Sequence, residues 1–501
     1  MSSTEAVLAI DQGTTGSTTL VLDERCTVLG RAYSEFTQHY PKPGWVEHDA
    51  AEIWEVTQRT ARQAIAAASS AHGTLDLAGV GITNQRETVV VWDRETGEPV
   101  HRAIVWQDRR TAERCRELKQ QGREEWVRKR TGLVLDPYFS GTKLEWLLEN
   151  DPVLRRRAEA GDLAAGTIDT WLVWKLTGGA AHVTDPTNAS RTMLFDIDSM
   201  SWSGELLQLF NVPRTLLPEV KRSAEVYGTT TADTLGLTIP VAGIAGDQQA
   251  ALFGQGCVRQ GLAKNTYGTG AFLLLNTGAE RVASASGLLT TVACGPVGEP
   301  VYALEGSIFI AGAAVQWLRD GLGIIEAAAD SEAIAAGLAG NDGVYLVPAF
   351  VGLGAPHWNA EARGMIVGLT RGSTQAHLVR AALEAMAYST HDVLRAMEQD
   401  SGIIATELSV DGGASLNDWL IQFQADVIGL PVSRSAMVET TALGAAGLAG
   451  IATGVWRDAD HFLEQRAEPT VFEPHVDDAT RAALLRGWNR ALGAALAWAN
   501  A

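Results

Sequence analysis

The sequence predicts an α/β protein built from two domains, and three observations predict it. Strand-length apolar runs alternate with helical apolar stripes along the whole chain, the pattern of α/β architectures. At 501 residues the chain is too long for one ordinary hydrophobic core and fits two. Each half also opens on the same unit: an apolar strand, a tight turn of glycine and threonine, and a returning apolar strand. The first is Val7-Leu8-Ala9-Ile10-Asp11-Gln12-Gly13-Thr14-Thr15-Gly16-Ser17, running on to Leu22. The second is Thr266-Tyr267-Gly268-Thr269-Gly270, running on to Leu275. The matched openings hint at an old duplication. The boundary is expected near Phe253-Gly254-Gln255-Gly256, dividing the chain into residues 1–253 and 254–501.

Further strands are expected at residues 77–83, 89–92, 241–245, 344–348 and 408–410. An Ala-rich helix follows Asp247. Ser373 or Thr374 caps another helix, on which Val379, Leu383, Met386, Val393 and Met397 make one apolar stripe. An amphipathic helix covers residues 419–428. Residues 442–455 are mostly Ala and Gly and too short for a bilayer, which takes about 20 apolar residues; they predict a tightly packed core helix. The tail ends in a helix over residues 479–498.

A content of 46% hydrophobic and 20% charged residues allows each domain a sizeable core. A net charge of -19 excludes a nucleic-acid binder, which needs a basic face. Local arginines can still build a positive site, although Arg155-Arg156-Arg157 reads as a solvated helix face. Cys26, Cys115, Cys257 and Cys294 lie far apart without metal-ligand spacing, so no disulfide framework is expected and a reducing cytoplasm fits. Residues 1–5 lack a basic segment followed by an apolar stretch, and no signal peptide is expected. The ten histidines show no zinc spacing; Glu47-His48-Asp49 could bind a metal but reads rather as a solvated loop. No Gly-x-Ser-x-Gly elbow or Gly-Lys-Ser/Thr loop is present, so neither a serine hydrolase nor a P-loop enzyme is supported.

Glycine lets the backbone approach a ligand, and its N–H groups can then cradle an anion, with threonine hydroxyls as further donors. Two such turns suggest two domains gripping one polyphosphate; taken singly, each could be a plain hairpin. Asp11 stands at the mouth of the first turn. A carboxylate there repels a polyphosphate unless a cation intervenes, so it is a magnesium position or a residue stabilising its own turn. Asp247 follows an apolar strand and precedes a helix, where open α/β sheets place functional side chains. It is either the acceptor of a hydroxyl proton or a helix cap. Arg86 and Glu87, in Asn84-Gln85-Arg86-Glu87, could hold a small polyol or form a surface ion pair. Trp106 and Phe272 could wall its carbons or belong to the core. Asp411-Gly412-Gly413-Ala414-Ser415-Leu416-Asn417 lets a flat ring or phosphate approach the backbone, or is an ordinary strand–helix turn.

Together these strings resemble the glycerol kinases of the FGGY carbohydrate kinase family. The resemblance also rests on Pro43-Gly44-Trp45-Val46-Glu47-His48-Asp49, Asp136-Pro137-Tyr138-Phe139-Ser140-Gly141-Thr142-Lys143, Asn188-Ala189-Ser190-Arg191-Thr192-Met193-Leu194-Phe195 and Gly246-Asp247-Gln248-Gln249-Ala250. It implies two actin-like ATPase domains of ribonuclease-H-like topology flanking a cleft. It implies ATP-dependent phosphorylation of glycerol to sn-glycerol 3-phosphate, with Asp247 as general base. Arg86, Glu87, Tyr138, Asp247 and Gln248 would bind the glycerol hydroxyls, and Trp106 and Phe272 would flank its carbons. Thr14, Thr15, Gly16 and Thr269 would meet phosphates; Gly312, Gln316, Gly413 and Asn417 would line the nucleotide site. Asp11 and Asp247 would hold magnesium, largely through water. A cytoplasmic homodimer or homotetramer is expected, without nucleic-acid or membrane partners. The alternatives are a kinase of another small polyol or ketose, and an actin-like ATPase of non-metabolic role.

Two departures modify the expectation. Many relatives carry Ser-Ser-Arg after the paired threonines, whereas this chain has Gly16-Ser17-Thr18, so weaker ATP binding than in the Arg form is expected. Residues 229–238 hold no Arg, Lys or His. Neither inhibition by fructose 1,6-bisphosphate nor activation by histidine phosphorylation is therefore expected.

Overall fold

A computed structural model describes residues 4–499; the first three residues of the segment read for a leader lie outside the described residues. The first large sheet contains β1 (Thr4–Gln12), β2 (Gly16–Asp23), β3 (Val28–Glu35), β4 (Leu75–Asn84), β5 (Ala224–Thr229) and β6 (Pro240–Gly246), in the order β5-β6-β4-β1-β2-β3. β1, β2 and β3 are antiparallel neighbours, and β4 and β6 extend the sheet in parallel from β1.

The second sheet repeats this plan. It contains β7 (Leu262–Tyr267), β8 (Ala271–Gly278), β9 (Leu289–Cys294), β10 (Pro300–Ile308), β11 (Glu407–Gly412), β12 (Val432–Arg434) and β13 (Thr470–Phe472), in the order β9-β10-β8-β7-β11-β12-β13. β7, β8 and β10 are antiparallel, and β11 and β12 run parallel from β7. Without the edge strands β5, β9 and β13, both sheets have the order 3-2-1-4-5 with matching directions. This is the ribonuclease-H-like topology twice over, so the repeat suggested by the two openings extends across both sheets.

The unbroken apolar run of β1 reflects cover on both faces. Leu8 and Ile10 join a core with Ile53, Val56, Ala61 and Ala64 of α1 (Ala50–His72), whose first amides are capped by Asp49. Val7 and Ala9 face the other way, into a core with Ala442, Leu443 and Ala446 of α5 (Thr440–Thr453). The predicted core helix thus exists, and it packs very closely. A Cβ on Gly243 of β6 would lie 2.6 Å from the backbone nitrogen of Ala449. Only Gly and Ala permit that approach.

The crossing is reciprocal. α2 (Asp247–Gly254) follows β6 of the first sheet, yet its Leu252 packs with Leu274, Ala293 and Ala303 of the second. α5 follows β12 of the second sheet and covers the first. α3 (Gln375–Ser401) begins at Thr374, which shares a reciprocal capping box with His377, and its five stripe residues are all buried. α4 (Asp418–Ile428) and α6 (Asp478–Ala499) complete the helices expected from the sequence. The strands expected at residues 89–92 and 344–348 appear as Val90–Asp93 and Tyr345–Val347, in small two-stranded pairings outside the large sheets.

One expectation needs correction. Glu47 and His48 are a buried strand rather than a solvated loop: Glu47 pairs with Arg110 at 2.7 Å, and His48 Nε2 lies 2.7 Å from Gln38 Oε1. All four cysteines are free and buried. Among the described residues no helix is long and apolar enough to cross a membrane.

Candidate active site

The site is assembled where β1, β4 and β6 end opposite the strands of the second sheet. Asp247 is the first residue of α2 and not its cap, which is Gly246. The Asp247 carboxylate accepts the Gln248 backbone N–H at 2.7 Å and meets Arg86 Nε at 3.1 Å. Arg86 is buried, and its other edge is fully engaged. Nη1 donates to Glu305 Oε2 at 2.7 Å and Gln249 Oε1 at 3.3 Å; Nη2 donates to Glu305 Oε1 at 3.2 Å and the Tyr138 hydroxyl at 3.5 Å. Arg191 Nε donates to Glu87 Oε1 at 2.7 Å, and its Nη2 to Glu305 Oε1 at 3.0 Å. Arg86 and Glu87 therefore form no surface pair; they belong to a buried four-charge cluster.

Glu87 holds a left-handed backbone, φ 63°, which a non-glycine residue adopts at a cost of roughly 1–3 kcal/mol. Its place in the cluster holds it there: the Glu87 carbonyl accepts the Ser140 hydroxyl at 2.9 Å while its carboxylate meets Arg191.

Trp106 and Tyr138 pack edge to face, ring centroids 5.4 Å apart. Trp106 Nε1 also donates to Thr14 Oγ1 at 2.9 Å. That bond occupies an acceptor position on the Thr14 hydroxyl and leaves its proton to donate elsewhere. Phe272 sits directly opposite Thr266 and Ser307 in the second sheet, two pairs along from Lys264, Leu274 and Glu305. It shares their sheet face. The buried Lys264 Nζ donates to Thr266 Oγ1 at 2.8 Å and to Gln248 Oε1, which turns the Gln248 amide nitrogen outward as a donor.

Each turn closes on itself. Gly13 N–H donates to Gly16 carbonyl at 2.9 Å, and Gly268 N–H to Gly270 carbonyl at 2.8 Å. Thr15, Gly268 and Thr269 are exposed. Gly16 is buried, and a Cβ there would lie 2.7 Å from the Ser34 carbonyl oxygen, so its glycine is demanded by β3. Gly312 N–H donates back to the Gly268 carbonyl at 3.0 Å. Thr269, Gly312, Gln316, Gly413 and Asn417 line one cavity of about 400 Å3, with Val315, Leu383 and Met386 as apolar wall. The Asn417 side-chain oxygen caps α4 through the Leu420 N–H at 2.9 Å.

The charges are tuned by burial and by one another. Burial pushes the Asp11 carboxyl up to about 7, helped by Asp247 and Glu439. Asp247 is also raised, by burial, with Arg86, the Gln248 N–H and Lys264 pulling it back. Burial acts on Glu305 too, but the Arg191 and Arg86 guanidiniums outweigh it and hold the carboxyl at about 2.

Family models for the FGGY family of carbohydrate kinases match residues 6–254 with the N-terminal domain and 263–453 with the C-terminal domain. This chain belongs to the FGGY carbohydrate kinases. A glycerol kinase of Deinococcus radiodurans is 56% identical over 99% of both chains. The structure of Plasmodium falciparum glycerol kinase with ADP is similar at a TM-score of 0.94 and 37% identity, over 99% of both chains. A ligand-bound xylulose kinase from Lactobacillus acidophilus, at 21% identity and a TM-score of 0.87, shares the fold over 99% of this chain and 98% of its own.

Three residues of this FGGY kinase site escaped the sequence reading. Glu305 carried one signal, a lone acid inside the apolar run Val301-Tyr302-Ala303-Leu304-Glu305. Lys264 carried a similar one between Ala263 and Asn265. Arg191 stood in a recognised motif without a role. Residues 229–238 are met by an arginine from outside the segment: Arg62 of α1 donates from Nε to the Thr234 carbonyl at 2.9 Å and from Nη2 to that of Asp233.

Proposed function

We propose that this FGGY kinase transfers the γ-phosphoryl group of ATP to a terminal hydroxyl of glycerol, giving sn-glycerol 3-phosphate and ADP. The observation that carries this reading is the cluster of Arg86, Glu87, Tyr138 and Asp247 beside the first Gly/Thr turn. It offers a short polyol fixed donors and acceptors against the Trp106 ring. Names of relatives more than half identical to this chain agree with it.

In the reaction the attacking hydroxyl oxygen forms a bond to the γ-phosphorus, the bond to the bridging β–γ oxygen breaks, and the pair leaves with ADP. Asp247 takes the hydroxyl proton, and its raised carboxyl is suited to hold it. Arg86 and Glu87 fix the acceptor hydroxyls, and Gln248 adds a donor. Thr14, Thr15 and Thr269 hold phosphate oxygens, and the cavity of Gly312, Gln316, Gly413 and Asn417 takes the nucleoside. Residues 1–253 thus supply most of the acceptor site and residues 254–501 the nucleotide cavity.

Magnesium fits the donor set. Asp11 and Asp247 are hard oxygen donors, and burial, with Asp247 beside it, raises the Asp11 carboxyl. Among the described residues no group of three or more His, Cys, Asp or Glu forms a complete cage. Magnesium prefers such a sparse site, completed by water and phosphate. When bound, it neutralises phosphate charge.

The reading extends to a cytoplasmic homodimer or homotetramer whose rate fructose 1,6-bisphosphate leaves unchanged, since Arg62 is already bonded to carbonyls. The test is glycerol-dependent ADP release in a coupled assay, run beside dihydroxyacetone, erythritol and xylulose. Glycerol should give the highest kcat/KM, and Asp247→Asn should lower kcat by at least a thousandfold. A ketose preferred over glycerol would sink the substrate assignment, and an undiminished Asp247→Asn would sink the base.

A further inference from the structure

We infer that Glu305, carried by the second half of the chain, is a positioning residue for the acceptor: it fixes the guanidinium of Arg86 and through it the site that reads the polyol. The inference rests on the proposed phosphorylation of glycerol and adds a residue to its specificity.

Both Glu305 oxygens are engaged by Arg86, at 2.7 and 3.2 Å, and one also accepts Arg191 Nη2 at 3.0 Å. The three side chains are at most 2% exposed. Two parallel N–H···O bonds set the plane of a guanidinium as well as its place. With that plane set, the remaining donors of Arg86 have fixed directions: Nε to Asp247 at 3.1 Å, and Nη2 to the Tyr138 hydroxyl at 3.5 Å. These are the contacts a ligand can replace. Asp247 is one-third exposed, and the Tyr138 bond is at the limit of hydrogen-bond length.

The charge balance points the same way. Arg86 and Arg191 face Glu87 and Glu305, two against two. Without the Glu305 charge, Arg86 would keep only Asp247 at 3.1 Å and Glu87 at 3.8 Å as acidic partners, both on its Nε edge. Arg86, Glu87, Tyr138, Arg191 and Asp247 all precede residue 254, whereas Glu305 follows it. The acceptor site is therefore complete only when β10 of the second sheet is in place.

The test is steady-state kinetics of full-length Glu305→Gln, an isosteric change that removes the charge. The glycerol KM should rise at least tenfold while the ATP KM stays within twofold. A merely structural role would not separate the two constants. In an Arg86→Lys background the same change should add less than threefold, because its effect passes through Arg86. An unchanged glycerol KM, a parallel rise of both constants, or a full tenfold effect without Arg86 would each overturn the inference. Should Glu305→Gln not be recovered folded, Glu305→Asp keeps the charge and shortens the reach. It should raise the glycerol KM at least threefold at constant ATP KM, and a wild-type value there overturns the inference. Wild-type protein without glycerol-dependent ADP release would instead refute the proposed function.

Discussion

Substituting Gly246 by alanine tests the placement of Arg86 through its aliphatic stem. Gly246 has φ -59° and ψ 151°, a conformation any residue adopts, so alanine brings no backbone strain. Its Cβ would lie 2.7 Å from both Cγ and Cδ of Arg86 and 3.0 Å from Gln249 Oε1. Carbon atoms pack at about 3.5–4.0 Å, so the Arg86 stem must retreat by roughly 1 Å. The guanidinium is held at 2.7 Å by Glu305 and at 3.1 Å by Asp247, and the retreat must lengthen those bonds. Overpacking of this kind costs about 1–3 kcal/mol. Expressed in acceptor binding, that is about a five- to 150-fold rise in glycerol KM. Gly246 does not line the nucleotide cavity, so the ATP KM should stay within twofold. The assay is coupled ADP release with each substrate varied at saturation of the other, beside a thermal melt. A folded Gly246→Ala enzyme with a wild-type glycerol KM would show that the Arg86 stem does not set acceptor affinity.

Gly268→Ala is the opposite case: its Cβ would have no neighbour nearer than 3.7 Å, so stability should hold within about 0.5 kcal/mol. The methyl group would occupy the cavity edge, raising the ATP KM about tenfold; an unchanged KM removes the turn from phosphate binding. Thr18 lies directly opposite Asp11 across β1 and β2, so Thr18→Arg should bring a cation to the phosphate end and lower the ATP KM about fivefold, equivalent to about 1 kcal/mol. Unchanged or poorer affinity counts against it. Glu305 is held at about 2 against an ordinary 4.5, so its stabilisation is present above pH 4.5 and lost as pH falls through about 2. That shift corresponds to about 3 kcal/mol. In urea at pH 6, Glu305→Gln should be less stable by about this amount, and the gap should narrow below pH 4.5; a constant gap refutes the assignment.

Local chemistry made much of the site legible. Glycine and threonine mark both turns because the backbone must bend there, and five residues spread over residues 269–417 line one cavity. What stayed hidden depends on distant partners. Glu305 meets Arg86 across 219 positions, and nothing near it in sequence announces a guanidinium. Glu47 looked like loop because its partner Arg110 stands 63 residues on. Gly16 was read with its turn, but its lack of a side chain answers to Ser34 on the neighbouring strand.

The two helices that cross between the sheets give the molecule the form of a swapped dimer fused into one chain. Each half has surrendered the helix after its fifth strand to its counterpart, and the pair meet so closely that a Cβ on Gly444 would run into the Ala250 backbone. Cutting the chain at residue 253 would therefore strip the first sheet of the α5 that belongs on it. Neither fragment should melt cooperatively alone. The two expressed together should reassemble, whereas a chain cut between independent modules would yield two folded parts.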